Sequence, residues 1–181
     1  MSKKKVLARN WKFFVETATA KTFERITGIE SFTITRDKED LDTTDFDNDG
    51  YDSHVVVGRS VEMEIEGGMR MDTTSGARCA GQSRVEVIAE AFLDESIGKF
   101  HVLDPAGTVY ELNGSVKLAD VGGGNKDKTS WGFTVVGNGK LKNLGKLTSL
   151  SGNTYNNKDV IDAMPEAVAS ASTLSEDVVE E

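Results

Sequence analysis

Carboxylates are the side chains in this sequence with the most chemistry to offer, and they occur in two patterns. Asp37, Glu39, Asp40, Asp42, Asp45, Asp47, Asp49 and Asp52 crowd one stretch against a single Lys38. Within it, Asp45-Phe46-Asp47-Asn48-Asp49-Gly50 matches the first half of an EF-hand calcium loop, with hard oxygen ligands at alternate positions and a glycine for the sharp turn. Counted from Asp45, position twelve is Val56 instead of the bidentate glutamate, and no flanking helices are evident. Calcium on Asp45, Asp47 and Asp49 therefore rests on half a motif, and a charged, turn-rich loop tip is the better reading. The second pattern is Glu62, Glu64 and Glu66, alternating with Val61, Met63 and Ile65. Acid–base catalysis needs carboxyl groups in unlike environments that push their pKa values apart. Equivalent glutamates along one strand face do not provide that; they make a charged surface.

Other reactive groups lead no further. Cys79 is the single cysteine, so no internal disulfide can form, and neither His54 nor His101 has a visible link to it as a base. Cys79 reads as a small buried or half-buried residue. His101 lies in the β-run Lys99–Leu103 and reads as a sheet-surface histidine. Gly122-Gly123-Gly124-Asn125-Lys126 lacks the Gly-Lys-Ser/Thr ending of a phosphate loop and sits between strands, so it reads as a hairpin turn. There is no Ser-His-Asp set, no metal-spaced His/Cys cluster and no cofactor fingerprint. The residues support no enzyme, no catalytic group and no cofactor.

The elements that carry these groups are strands. Asn10–Thr17 is apolar and aromatic enough for a first strand, and Glu30–Arg36 alternates Phe32 and Ile34 with Ser31, Thr33 and Thr35. Val55–Gly67 is the clearest strand, with its three glutamates facing water or a wide aqueous cavity. The acidic segment between these strands is too charged to bury and is expected to be a long solvated loop over residues 37–54. One helix is expected over about 83–93: Ser83 and Glu86 fit a capping box, and Val85, Ile88, Ala89 and Phe92 follow helical spacing, with Gly98 as the stop. Gly81 weakens an earlier start. Lys99–Leu103 is a strand, Asp104–Gly107 a tight turn, Thr108–Val121 a long strand with Gly114 marking a bulge, and Lys128–Leu141 a last strand with Trp131, Phe133 and Val135 on one face. From Asn143 the pattern fades, apart from a short helical stretch near Asp159–Met164. Residues 1–9 then form an arm, 10–142 a β domain, and 143–181 a partly flexible extension.

Composition bounds the class. The chain has 181 residues and a formal net charge of −9. Such acidity argues against tight nucleic-acid binding, which needs clustered cations to neutralise phosphates. Lys3, Lys4, Lys5, Arg9 and Lys12 read as a solvated terminus. The apolar stretch after the lysines is broken by Arg9, Asn10 and Lys12, so no secretory or membrane segment is expected. A soluble protein made in a reducing cytoplasm is expected.

With GRSVEMEIEGG, KFHVLDPAGTVYELNGSVKLADV and SWGFTVVGNGKL in this order around a long polar loop and one helix, the chain resembles the major tail tube proteins of long-tailed, siphovirus-like bacteriophages over about Asn10–Leu141. The type VI secretion tube protein is similar in fold. The resemblance implies a mainly β protein, a β-sandwich or barrel with one flanking α-helix, a long inter-strand loop and a C-terminal extension. It implies hexameric rings stacked into a hollow tube, assembled in the host bacterial cytoplasm as part of the virion tail. Double-stranded DNA would pass through without specific binding, and tape-measure, tail-terminator and distal tail proteins would be partners. Carried onto this chain, Asp37–Ser53 would be the loop that reaches neighbouring subunits, and Val85–Phe92 would lie on the outer helix. Glu62, Glu64 and Glu66 are candidates for the channel lining from the strand reading itself. Lys3, Lys4, Lys5, Arg9, Arg59 and Arg70 are candidate basic partners for the acidic loop. Two alternatives stay open: a calcium-binding extracellular or adhesion β module, and another virion or secretion component such as a type VI tube or capsid-decoration protein.

Overall fold

The computed structural model describes residues 5–44, 51–147, 150 and 152–156. Among the described residues there are nine strands, β1 (Lys12–Glu16), β2 (Thr22–Ile26), β3 (Ile29–Asp42), β4 (His54–Gly68), β5 (Ile97–Leu103), β6 (Thr108–Leu118), β7 (Ser130–Gly137), β8 (Lys142–Lys146) and β9 (Thr154–Asn156), and one α-helix, α1 (Ala80–Glu90). The pairing order is β3-β4-β7-β6-β5-β1-β2-β9, with β8 joined to β6, and every pairing is antiparallel.

This order forces the sheet to roll. β2 and β3 follow one another across Thr27 and Gly28, yet they stand near opposite ends of the pairing order. So short a link spans roughly 10 Å at most, so the two ends of the sheet must meet. They meet through aromatic rings: Phe32 of β3 lies 4.9 Å from Phe13 of β1 and 5.3 Å from Trp11. Gly28 turns this corner at a φ of +86°, a conformation glycine adopts without strain.

The rolled sheet encloses one core, made by Phe13, Val15, Val61, Met63, Ile65, Phe100, Leu112, Trp131, Phe133 and Val135, with Val85 and Ile88 of α1 closing it. Strand alternation accounts for the membership, since residues two apart share a face. A second, smaller cluster of Phe14, Phe23, Leu103, Val109 and Tyr155 lies on the other face, where β8 and β9 pair back onto the body. These two strands of the expected extension from residue 143 are thus part of the folded body. They are too short and polar to show a period. The stretch near Asp159–Met164 lies outside the described residues.

The helix differs from its expected bounds. It begins after Cys79, Ser83 lies inside it, and Phe92 lies beyond its end, 85% exposed. Gly81, expected to weaken it, sits so close to β2 that a Cβ would meet the Arg25 carbonyl oxygen at 2.4 Å. The helix can dock there only without a side chain. Gln82, fully buried, then ties α1 to the rolled corner: its Nε2 donates to the carbonyls of Thr27 (2.9 Å) and Gly68 (3.0 Å), and its Oε1 accepts from the Arg70 amide (3.0 Å). Gly114 is not a bulge. It pairs in register with Gly98 and Gly137, and a Cβ there would meet the Val136 carbonyl oxygen at 2.3 Å.

Candidate functional site

Two surfaces carry the acidic residues, and both belong to β3 and β4. The first is a sheet face. In β4, Val61, Met63 and Ile65 point into the core while Glu62, Glu64 and Glu66 are exposed. Their cross-strand partners are Thr35, Thr33 and Ser31 on β3, and Val136, Thr134 and Gly132 on β7. Ser31 donates to Glu66 Oε2 at 2.8 Å. The face is therefore a flat field of hydroxyls and small groups crossed by a row of carboxylates about 7 Å apart. Each glutamate is open to water within the subunit.

The second surface is an arm. Asp37 to Asp42, expected in a loop, are strand: β3 runs on to Asp42 and β4 begins at His54. The ladder continues with Asp37 opposite Ser60, Lys38 opposite Arg59 and Asp42 opposite His54, with a register shift after Glu39. A two-stranded ribbon pairs its inward-facing backbone groups and leaves its outer edges and side chains to water, so charge forbids burial there but not strand. Val55, Val56 and Val57 supply the β-branched residues that favour this backbone. The far end is clasped by Thr43 N to Ser53 O (2.8 Å) and Ser53 N to Thr44 Oγ1 (2.9 Å). Asp42 caps the Thr44 amide at 2.9 Å, and hydrogen bonds from Thr44 hold its carboxyl below the usual carboxylate range. Asp52 lies in the exposed connection. Asp45, Asp47 and Asp49 lie outside the described residues, and so does the half calcium motif they form. Among the described residues no group of His, Cys, Asp and Glu side chains is placed to hold a metal ion.

The candidate basic residues do not form one patch. Lys3 and Lys4 lie outside the described residues. Lys5 and Arg9 are exposed near the start of the chain, where Arg9 lines a groove with Lys12 and Arg25. Arg70 lies with Arg78 beside the start of α1, in a cleft that shares Arg25 with the Arg9 groove. Arg59 alone stands on the arm.

His101 is not on the sheet surface. It is fully buried, stacked on Phe23 at 3.7 Å between ring centres, within a polar chain the sequence does not reveal. Tyr155 Oη bonds His101 Nδ1, His101 Nε2 lies 3.3 Å from Glu111 Oε2, and Lys142 Nζ lies 3.2 Å from Glu111 Oε1. Burial holds the imidazole below its ordinary pKa despite the neighbouring carboxylate. A neutral ring suits both bonds, with Nε2–H donating to Glu111 and Nδ1 accepting from tyrosine. The His101 bond, ahead of the ammonium of Lys142, lowers Glu111 to about 2. Burial raises the Tyr155 phenol. With no solvent access at the imidazole, this series of bonds fastens β9 and β8 to the body. Cys79 is half-buried at the start of α1; burial alone would push its thiol up, but hydrogen bonding with Thr27 (3.1 Å) and nearby amides holds it below the ordinary value. Among the described residues no helix is long and apolar enough to cross a membrane.

No protein-family model and no curated protein matches the chain. Solved structures do match in fold. A chain from the tail of an empty gene transfer agent particle, refined with C6 symmetry, superposes with a TM-score of 0.58 at 19% identity, covering 76% of this chain and 97% of that chain. A chain of the native gene transfer agent virion superposes with a TM-score of 0.55, also at 19% identity and with the same coverages of 76% and 97%. A chain of the anti-feeding prophage baseplate aligns at a TM-score of 0.47 and 12% identity over 87% of this chain and 99% of that chain. The protein thus has the mainly antiparallel β fold with one helix that is found in the gene transfer agent tail.

Proposed function

We propose that this chain is a structural virion protein: the subunit of a phage-like tail tube, assembling as six-membered rings that stack into a hollow conduit for double-stranded DNA. The observation that carries this reading is β3. It is a 14-residue strand at the end of the pairing order, and its outer half leaves the body as an exposed ribbon. An unpaired edge of this length is a template for pairing with another chain, and a copy of the same protein is the natural occupant in a repeating assembly. The C6 symmetry of the fold-similar tail supports the ring number. The open row of Glu62, Glu64 and Glu66 suits a channel lining. Carboxylates repel phosphates and offer DNA no counterion release, so the wall does not hold its cargo. Screening confines that repulsion to about 8 Å at physiological salt, enough to prevent adhesion at contact. Tape-measure, tail-terminator and distal tail proteins are the partners this role calls for, with assembly in the host cytoplasm.

Electron microscopy of the concentrated full-length chain tests the reading. Hollow tubes with a sixfold projection are expected. Only dispersed subunits, at every salt concentration and with tail-tip proteins present to nucleate growth, would overturn it. Calorimetry separates the calcium-module alternative, which alone predicts a saturable calcium heat lost in Asp47→Ala.

A further inference from the structure

The root of the arm carries a charge pattern that the chain itself leaves unanswered. Residues 34, 36, 38, 40 and 42 of β3 share a face, by strand alternation. Inside the body that face is Ile34, packed on the core. Beyond it come Arg36 and Lys38, then Asp40 and Asp42. Lys38 stands directly opposite Arg59 in the ladder, and like charges in that relation repel. Lys140, from the β7–β8 connection, joins them around a cleft of about 420 Å³. Tyr110 and Leu141 form part of its apolar lining, and Asp37 is its one carboxylate. All four cations are exposed, and none of their side chains has a hydrogen bond or ion pair with another described residue. The same ribbon is thus basic at its root and acidic toward its tip, where the sequence adds Asp45, Asp47, Asp49 and Asp52.

A surface with opposite charges at its two ends complements a second copy displaced along it. We propose that the cleft formed by Arg36, Lys38, Arg59 and Lys140 is the receptor for the acidic end of the arm of a second copy of this chain. The inference rests on the arm being an assembly element, and it adds the seat. Contacts of root to tip are heterologous, so each copy receives one arm and offers another, and the series closes into a ring or runs on along a stack according to the rotation between copies. The seat gives Lys38 and Arg59 the anions that their cross-strand position lacks. It also assigns Arg59, and not Arg70 or Arg9, as the partner of the acidic segment.

Charge exchange tests it. Lys38→Glu with Arg59→Glu should raise the protein concentration needed for polymerisation at least about tenfold, roughly 1.4 kcal/mol, and Asp40→Lys with Asp42→Lys should do the same. An equimolar mixture of the two variants should recover polymer, because each supplies the sign the other has lost. Lys38→Gln with Arg59→Gln, which removes the repulsion without inverting charge, checks that impaired assembly is not misfolding; its melting temperature should match or exceed that of the parent chain. If the parent polymerises and the glutamate variant does so equally well, the seat is wrong while the tube reading stands. If the parent never polymerises, the tube reading fails and the seat with it. If the glutamate variant assembles normally but no longer retains DNA fragments that the parent retains, the occupant is a phosphate backbone and the proposal is overturned.

Discussion

β4 is one continuous strand with two different lives. In its second half, Val61, Met63 and Ile65 are 9%, 1% and 1% exposed. In its first half, Val55, Val56 and Val57 are 53%, 41% and 57% exposed. Residue type does not separate these halves, because β-branched side chains favour extended backbone in both. What separates them is the presence of the rest of the molecule. In the body each apolar side chain is worth about 1.5–3 kcal/mol of burial. On the arm the same side chains have nothing of their own chain to cover them, and charged neighbours surround them. The body holds the fold; under the proposed function the arm is the assembly element.

The strongest way to break this comparison is to remove the arm. Deletion of residues 40–52 should abolish polymer and leave the thermal transition nearly unchanged; long tubes from that variant would remove the arm from the account. Truncation within β4 should follow next. Ile65→Ala should cost about 2–5 kcal/mol in urea denaturation, whereas Val56→Ala should change monomer stability by no more than about 0.5 kcal/mol. Similar losses at both sites would mean that the arm packs on its own body.

Solution conditions should divide the regions too. Arm contacts between exposed charges are screened by salt, so polymerisation should weaken from 0.05 to 0.5 M sodium chloride, a range over which screening tightens steeply, with little change in subunit stability. The body should instead answer to acid. His101 lies below its ordinary 6.5 when folded, and Glu111 lies at about 2 against 4.5. Both shifts are downward, so each group's contribution is complete above its unfolded value and drains as pH falls toward its folded value. His101 accounts for the loss that starts below about 6.5 and Glu111 for the loss from 4.5 toward 2. Urea midpoints should fall from pH 7 to pH 3, less steeply near pH 6 in His101→Gln. The smallest effect on stability should come from Glu62→Gln, Glu64→Gln and Glu66→Gln together, since all three are exposed; tubes of that variant should retain DNA that parent tubes release.

The sequence made legible what depends on period. The alternation of Val61 to Glu66 displayed an open acidic face and a buried apolar one, and Trp131, Phe133 and Val135 marked the opposing strand. It concealed what depends on partners. β2, β8 and β9 are too short and polar to show alternation, and they exist because the rolled sheet offers them edges. KFHVL looks the same whether His101 meets water or meets Glu111 across the hairpin and Tyr155 from far along the chain. Gly81 looked like a helix breaker because its reason is the nearby Arg25 carbonyl. The acidic stretch reads as loop by its charge, but charge excludes only burial, and a ribbon in water needs none. The seat at Lys38 and Arg59 depended on the ladder register, and no local pattern fixes that.

A helical reconstruction of the polymer formed by the full chain is the decisive measurement. A hollow tube is expected, with Glu62, Glu64 and Glu66 facing the channel and each arm lying on an adjacent copy. A polymer with those glutamates on its outer surface or packed between subunits, and with arms touching nothing, would contradict it.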